Sequence, residues 1–268
     1  MFKAKKSLGQ NFLNSSEILD KIIETASLQK EDIVLEVGPG KGSLTEKLLE
    51  KSGSVIAIEK DNRLIEFLQE KFAEELKSGK LTLIHNDILD IDIETLNLNN
   101  YKIVANIPYY ITGKLIRKFL SSDFQPSQMI LMLQKEVAQR ITSTDKTKKS
   151  KKKPKESILS LSIKVYANPK YIKTIPAKYF SPQPKVDSAI LLIDNISTKY
   201  FEKINEEKFF NLIHQAFSSK RKMLLNNISL IPKKELIKIL EDLNISTKIR
   251  AEDLSLEDWQ NLYNKLFN

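Results

Sequence analysis

Ile33-Val34-Leu35-Glu36-Val37-Gly38-Pro39-Gly40-Lys41-Gly42 is the stretch whose reading decides the fold. Its first half is apolar apart from one acid, and its second half places glycine at every other position. A short apolar run that ends in glycines predicts a buried strand entering a turn. Ser43 to Lys51 follows at helical spacing. Strand, Gly-x-Gly-x-Gly, helix is an arrangement that lets backbone approach a ligand at the carboxyl end of a sheet. The spacing differs from Gly-x-Gly-x-x-Gly and lacks the third glycine of a pyrophosphate turn.

The same alternation extends outward. Ser16 to Ser27 carries Ile18, Leu19, Ile22 and Ile23 at helical spacing, with capping residues from Asn14 to Ser16. Val55–Glu59, Leu81–His85, Ile103–Ala105 and Met129–Leu133 read as strands, and Asn62–Lys77 and Gly113–Leu120 as helices. Strands alternating with helices predict parallel pairing in a doubly wound α/β sheet. After Arg140 the pattern changes. Thr142 to Lys155 is polar and rich in lysine, which predicts a loop. Ser157 to Ala167 fits either a strand or a helix. Val186 to Ile193 reads as a strand, and from about Lys199 the chain reads as helical, in Glu206–Ala216, Lys233–Asp242 and Leu256–Phe267. The expected organisation is a ligand-binding α/β domain over residues 1–197 and a small all-helical domain over 198–268.

The 268 residues carry 43 basic and 34 acidic side chains and no cysteine. Without cysteine there are no disulfides and no thiolate metal sites, in keeping with a reducing cytoplasm. The basic start, Met1 to Lys6, is followed by no apolar segment, so no secretory signal is expected. The run Met129 to Leu133 is far short of a membrane span. Seven lysines fall between Lys146 and Lys155, and the rest of the chain holds 36 basic against 34 acidic residues. The excess is therefore local, there and at Lys3, Lys5, Lys6 and Lys220-Arg221-Lys222. Such patches suit a polyphosphate partner.

Two acids stand near the ends of the next strands. Glu59 lies where ribose hydroxyls need a paired acceptor, and Asp87 is placed to accept from an adenine amine. Three acceptor sites at successive strand ends suit an adenosine-containing cofactor. S-adenosylmethionine fits better than NAD, having no phosphate to bind. Asn106-Ile107-Pro108-Tyr109-Tyr110 follows a further apolar run. Polar acceptors beside an aromatic face suit a planar amine, such as the exocyclic nitrogen of adenine.

These residues, taken in order, resemble the ribosomal RNA adenine N6,N6-dimethyltransferases. The resemblance runs through Leu8-Gly9-Gln10-Asn11-Phe12-Leu13, Gly38 to Gly42, Asn86-Asp87, Asn106 to Tyr110 and Leu133-Gln134-Lys135-Glu136-Val137. It continues in Phe180-Ser181-Pro182-Gln183-Pro184-Lys185-Val186-Asp187-Ser188-Ala189, in Ala216-Phe217 with Lys220-Arg221-Lys222, and in Arg250-Ala251-Glu252. It implies a Rossmann-like methyltransferase sheet with a helical ribosomal-RNA-binding domain. The implied reaction is dimethylation of two adjacent adenosines near the 3′ end of small-subunit ribosomal RNA, using S-adenosylmethionine in the cytoplasm. No metal is expected, and no exposed apolar heptad or other dimer signature stands out, so a monomer is expected. The implied partner is the immature small subunit.

The resemblance also implies roles. Asn11 and Leu13 close over the cofactor, Gly38 and Gly40 lie under it, Glu59 holds the ribose, and Asp87 holds the adenine amine. Asn106 borders cofactor and target base. The Asn106 oxygen and the Pro108 carbonyl are expected to accept the amine's hydrogens, and Tyr109 and Phe180 to sandwich the flipped base. His85 and His214 are expected to be structural. Two positions depart from the pattern: Tyr110 stands where relatives often carry asparagine, and Ser157-Ile158 replaces a Tyr-Gly pair. The competing functions are a large-subunit adenine dimethyltransferase of the macrolide-resistance type and a non-catalytic RNA-binding assembly factor.

Overall fold

The computed structural model describes residues 4–5, 8–142 and 155–267. Most of the predicted lysine loop, with Lys3 and Lys6, lies outside the described residues. The chain forms two compact units, Met1–Ala138 with Ala167–Ile196, and Gln139–Tyr166 with Ser197–Asn268. The sequence placed a single cut after residue 197, whereas the second unit is assembled from two stretches. Tyr166 gives the reason. Its ring packs beside Phe201 and Phe210, and its carbonyl accepts from Ser197 N–H at 2.8 Å.

The first unit contains β1 (Phe12–Leu13), α1 (Ser16–Ala26), β2 (Ile33–Val37), α2 (Ser43–Lys51), β3 (Ser54–Glu59), α3 (Asn62–Lys71) and α4 (Ala73–Lys77). It continues with β4 (Leu81–His85), β5 (Tyr101–Asn106), α5 (Thr112–Leu120), β6 (Gln128–Gln134), β7 (Asn168–Ile175), β8 (Phe180–Ser181) and β9 (Ser188–Asp194). Seven strands form one sheet in the order β4-β3-β2-β5-β6-β9-β7, and β1 pairs with β8. β4 through β6 are parallel, and β9 runs antiparallel to both β6 and β7. Strand order reverses at β2, which opens a crevice beyond the carboxyl ends of β2 and β5. The central strands are apolar on both faces because helices cover both. Val34, Leu35, Ile103, Val104 and Leu131 are all buried.

β7 was not legible in the sequence. It lies at the sheet edge, where Pro169, Lys170 and Lys173 are tolerated because, among the described residues, one side of the strand pairs with no other strand. The helix expected over Asn62–Lys77 breaks at Phe72, whose backbone leaves helical geometry (φ −114°, ψ 32°). Its buried ring lies against Gly42.

The second unit is helical, with the end of α6 (Lys135–Thr142), α7 (Ile158–Lys164), α8 (Glu206–Ala216), α9 (Lys233–Asp242) and α10 (Leu256–Phe267). The ambiguous stretch after Glu156 is thus a helix. The Ser157 hydroxyl accepts from Ser160 N–H and Ser160 Oγ accepts from Ser157 N–H, a capping box that satisfies the helix start. Ser157 is therefore a helix cap in this chain. Phe209, Tyr263 and Trp259 are buried in this unit, and Lys220-Arg221-Lys222 are exposed after α8.

Gly42 and Gly79 both have positive φ, at 77° and 75°. A β-carbon on Gly42 would lie 2.5 Å from Phe72 Cε2, whereas one on Gly79 meets nothing within 4 Å. Alanine at Gly79 is expected to cost about 1–2 kcal/mol of backbone strain alone. Alanine at Gly42 adds about 1–3 kcal/mol of overpacking. Urea unfolding of the two variants checks this, and equal losses would refute the packing role of Gly42.

Candidate active site

Four adjacent strands, β4, β3, β2 and β5, deliver their carboxyl ends to one cavity. It is lined by the N-terminal Leu8–Asn14, by Glu36–Lys41, by Glu59 and Lys60, by Asn86–Ile88 and by Asn106–Ile111. All the sequence-assigned cofactor residues, Asn11, Leu13, Gly38, Gly40, Glu59, Asp87 and Asn106, border it, as do Pro108 and Tyr109.

The glycine loop is shaped by its own hydrogen bonds. Gly38 N–H donates to Ile58 O at 2.9 Å, and Gly42 N–H to Pro39 O at 2.9 Å. Gly38 and Gly40 both sit at positive φ. Gly40 has a second reason to be glycine, since a β-carbon there would stand 3.2 Å from the Phe12 ring. The N-terminal motif can lie on the loop only because no side chain intervenes.

Glu59 is 6% exposed, and both its oxygens are engaged by backbone. Gly40 N–H donates to Oε2 at 3.1 Å and Asp61 N–H to Oε1 at 2.8 Å. Burial raises its carboxyl above the usual range, against the opposing pull of these donors. A carboxylate has about four lone-pair sites, so acceptor capacity remains toward the cavity. Asp87 accepts from Leu89 N–H at 3.0 Å and from Lys60 Nζ at 2.5 Å. Burial works to raise its pKa, but the Lys60 hydrogen bond and charge, the Leu89 N–H and the Lys118 charge together outweigh that and hold it low.

Asn106 closes β5. Its Nδ2 donates to Asn11 O at 3.3 Å, and Asn11 Nδ2 donates to Gly9 O at 3.2 Å. The first bond commits the amide nitrogen and leaves Asn106 Oδ1 as an acceptor. The Pro108 carbonyl already accepts from Ile111 N–H at 3.2 Å, so one lone pair remains to it. Tyr109 Oη and Ser188 Oγ are hydrogen-bonded at 2.7 Å, and Ser188 is fully buried. That bond fixes the Tyr109 ring.

Phe180 is placed differently from the expectation. It is 4% exposed, belongs to the apolar core and does not line the cavity. The reason is the β1–β8 pairing, which sets Phe180 opposite Leu13 and encloses the ring. Tyr109 lines the cavity and Phe180 does not. His85 and His214 do not border the cavity.

Three contributors carried no role in the sequence reading. Glu36 is 1% exposed, borders the cavity, and has Oε2 without a hydrogen-bond partner. Burial, with the nearby Glu59 charge, pushes its carboxyl up to about 8. One acid inside an apolar strand was the signal for it. Ser188 was quoted only as part of a motif. Asp61 is the third. Its side chain collects Arg63 Nη2 at 2.7 Å, Gln10 Nε2 at 2.9 Å and Lys5 Nζ at 3.2 Å. Arg63 first, then Gln10 and Lys5, hold its carboxyl far below the usual range. The N-terminal motif is thereby clamped to the end of β3. Asp61→Asn keeps the α3 cap and removes the charge. It is expected to speed hydrogen exchange at the amides of residues 10–13 by about tenfold, the equivalent of one charge-assisted hydrogen bond. Unchanged exchange there, with β4 as internal reference, would refute the clamp.

The fit to S-adenosylmethionine rests on this donor set. Glu36 offers an unpartnered buried oxygen for an ammonium, Glu59 spare acceptors for a diol, and Asp87 an acceptor for an amine. A family model for ribosomal RNA adenine dimethylases matches residues 1–267. A ribosomal RNA small subunit methyltransferase A of Dehalococcoides mccartyi is 42% identical over 97% of this chain and 87% of its own. One of Clostridium acetobutylicum is 36% identical, over 99% and 95%. Among solved structures, a dimethyladenosine transferase from Plasmodium falciparum superposes with a TM-score of 0.74 at 28% identity, over 95% of this chain and 98% of that one. The 23S rRNA methyltransferase ErmE gives 0.76 at 23% identity, over 96% and 100%, which is a likeness of fold. The cofactor of this methyltransferase is S-adenosylmethionine, and the chain belongs to the ribosomal RNA adenine dimethylase family.

Proposed function

We propose that this protein dimethylates N6 of two adjacent adenosines near the 3′ end of small-subunit ribosomal RNA. It acts as a monomer in the cytoplasm, on an immature small subunit. The observation that carries the reading is Asn106. Its amide nitrogen is committed to Asn11, so its oxygen is free to accept from a target amine beside the acceptors that suit the cofactor. The small-subunit assignment leans on the two relatives of that name. The likeness to ErmE does not separate the two subunits, since it is one of fold.

The bound cofactor supplies a methyl group on a positive sulfur. The chain's own residues do the rest. The Asn106 oxygen, with the remaining lone pair of the Pro108 carbonyl, accepts the two amine hydrogens and turns the nitrogen lone pair toward the donor. Proline contributes no competing N–H. Tyr109, its hydroxyl tied to Ser188, presents a fixed face to the unstacked base. Phe180 serves as the second face only if the β1–β8 pair opens. The product amine releases its proton to solvent, so a strong base is not required. Gln10, Asn11 and Phe12 cover the site from the N-terminal side.

Glu36 would face the cofactor's ammonium. Its carboxyl is neutral up to about pH 8. Binding a cation there favours the ionised form and expels the proton, so this contribution to affinity grows as pH rises toward that value. The ratio of wild-type to Glu36→Gln affinity is therefore expected to increase between about pH 6 and about pH 8 in calorimetry. A constant ratio would remove Glu36 from the site. Asn106→Ala is expected to lower transfer about a hundredfold or more, with cofactor binding still measurable. Near-normal turnover would sink its role.

The function itself is checked with labelled cofactor, unmethylated small subunits and large-subunit RNA, the products being mapped by mass spectrometry. Two dimethylated adenosines near the small-subunit 3′ end are expected. Label in large-subunit RNA alone would move the protein to the resistance type. RNA binding without transfer would make it an assembly factor.

A further inference from the structure

We propose that the exposed ring of Tyr110 is a stacking platform for the nucleotide next to the target adenosine. This rests on the RNA reading above and goes beyond it, since it assigns a contact outside the amine pocket. Tyr110 is 62% exposed, and among the described residues only Met223 joins it as an exposed large apolar side chain. An isolated exposed apolar residue is ordinary on a protein surface. Tyr110 is set apart by where it stands and by how it is held.

It borders the cofactor cavity and directly follows Tyr109. Its ring lies over Gly9. A β-carbon at Gly9 would stand 3.3 Å from Tyr110 Cε1 and 3.4 Å from Cδ1. Gly9 also has φ of 61°, so glycine meets both the backbone and the steric demand. One part of the ring thus rests on the N-terminal motif and the rest faces outward. Lys60, paired with Asp87, lines the same cavity. Aromatic and cationic side chains on one rim are the combination that holds single-stranded nucleic acid, with a ring under a base and a cation near its phosphate.

The chemistry of base extraction calls for such a surface. Lifting one adenosine out of the stack strips a face of its neighbour, and an aromatic side chain restores that contact. Stacking reads a π-face and not a hydrogen-bond pattern.

The test is a cycle between protein and RNA. Unmethylated small subunits carry either the natural adenosine or a uridine, a weaker stacker, beside the target. Each is offered to wild type, Tyr110→Phe and Tyr110→Ala. In wild type and Tyr110→Phe the uridine is expected to raise KM for the subunit, and Tyr110→Ala on natural subunits to raise it at least about fivefold. In Tyr110→Ala the uridine is expected to add nothing. An equal penalty from uridine in all three proteins would overturn the proposal. So would a fold-loss of cofactor affinity in Tyr110→Ala as large as the fold-rise in KM, which would make the ring a wall of the cavity. Transfer by wild type to natural subunits reports on the function reading, and only the coupling reports on Tyr110.

Discussion

The buried carboxylate of Glu59 is the interaction on which the site depends. It takes the Gly40 N–H on one oxygen and the Asp61 N–H on the other. One side chain therefore joins the glycine loop after β2 to the turn after β3. Its removal would leave two buried N–H groups without partners, at about 1–3 kcal/mol each. The turn it fixes presents Asp61, which in turn holds Gln10 and Lys5 of the N-terminal segment. Loop, strand end and cover are linked in series through two carboxylates. The surplus acceptor capacity of the first faces the cavity.

A second set of bonds organises the target side. Asn106 is held by Asn11, and Tyr109 by Ser188. Asp187, next to Ser188, accepts from Ala177 N–H through its side chain at 3.1 Å and from Lys135 N–H through its carbonyl at 3.0 Å. The string from Phe180 to Ala189 is thus largely a brace. It encloses Phe180, anchors two neighbouring turns and steadies the aromatic wall. Its exposed function is carried by Tyr109, bonded to Ser188 across 79 positions of chain. A brace of this kind suits a reaction driven by alignment, because small errors in placement of a poor nucleophile are costly.

Much of the catalytic unit was legible in the sequence because local rules and tertiary structure agree there. Ile33–Val37 and Leu81–His85 are strands over the residues that their apolar pattern marked. Asn106, Glu59 and Asp87 were legible because polar residues immediately after apolar strands have one place to go. β7 was not, because an edge strand needs no apolar alternation and Asn168–Ile175 shows lysines instead. Ser157–Ala167 stayed ambiguous because Leu159, Leu161 and Ile163 alternate like a strand, and two serine hydroxyls decided for the helix. The burial of Phe180 was not legible because its partner across the β1–β8 pair, Leu13, lies far away in sequence.

The sequence by itself determined the strand–helix alternation, the glycine turn, the acceptors at the strand ends and the family. Each of these is written in residues close together in the chain, where backbone preference and hydrophobic period act directly. Tertiary structure alone decided that the Asn106 amide nitrogen is committed and its oxygen left free, why Gly9 and Gly40 carry no side chains, and how Asp61 clamps the N-terminus. It also decided that residues 139–166 belong with the C-terminal helices. These are contacts between segments tens of residues apart. Their energies come from burial and hydrogen-bond satisfaction in three dimensions, which no local pattern encodes.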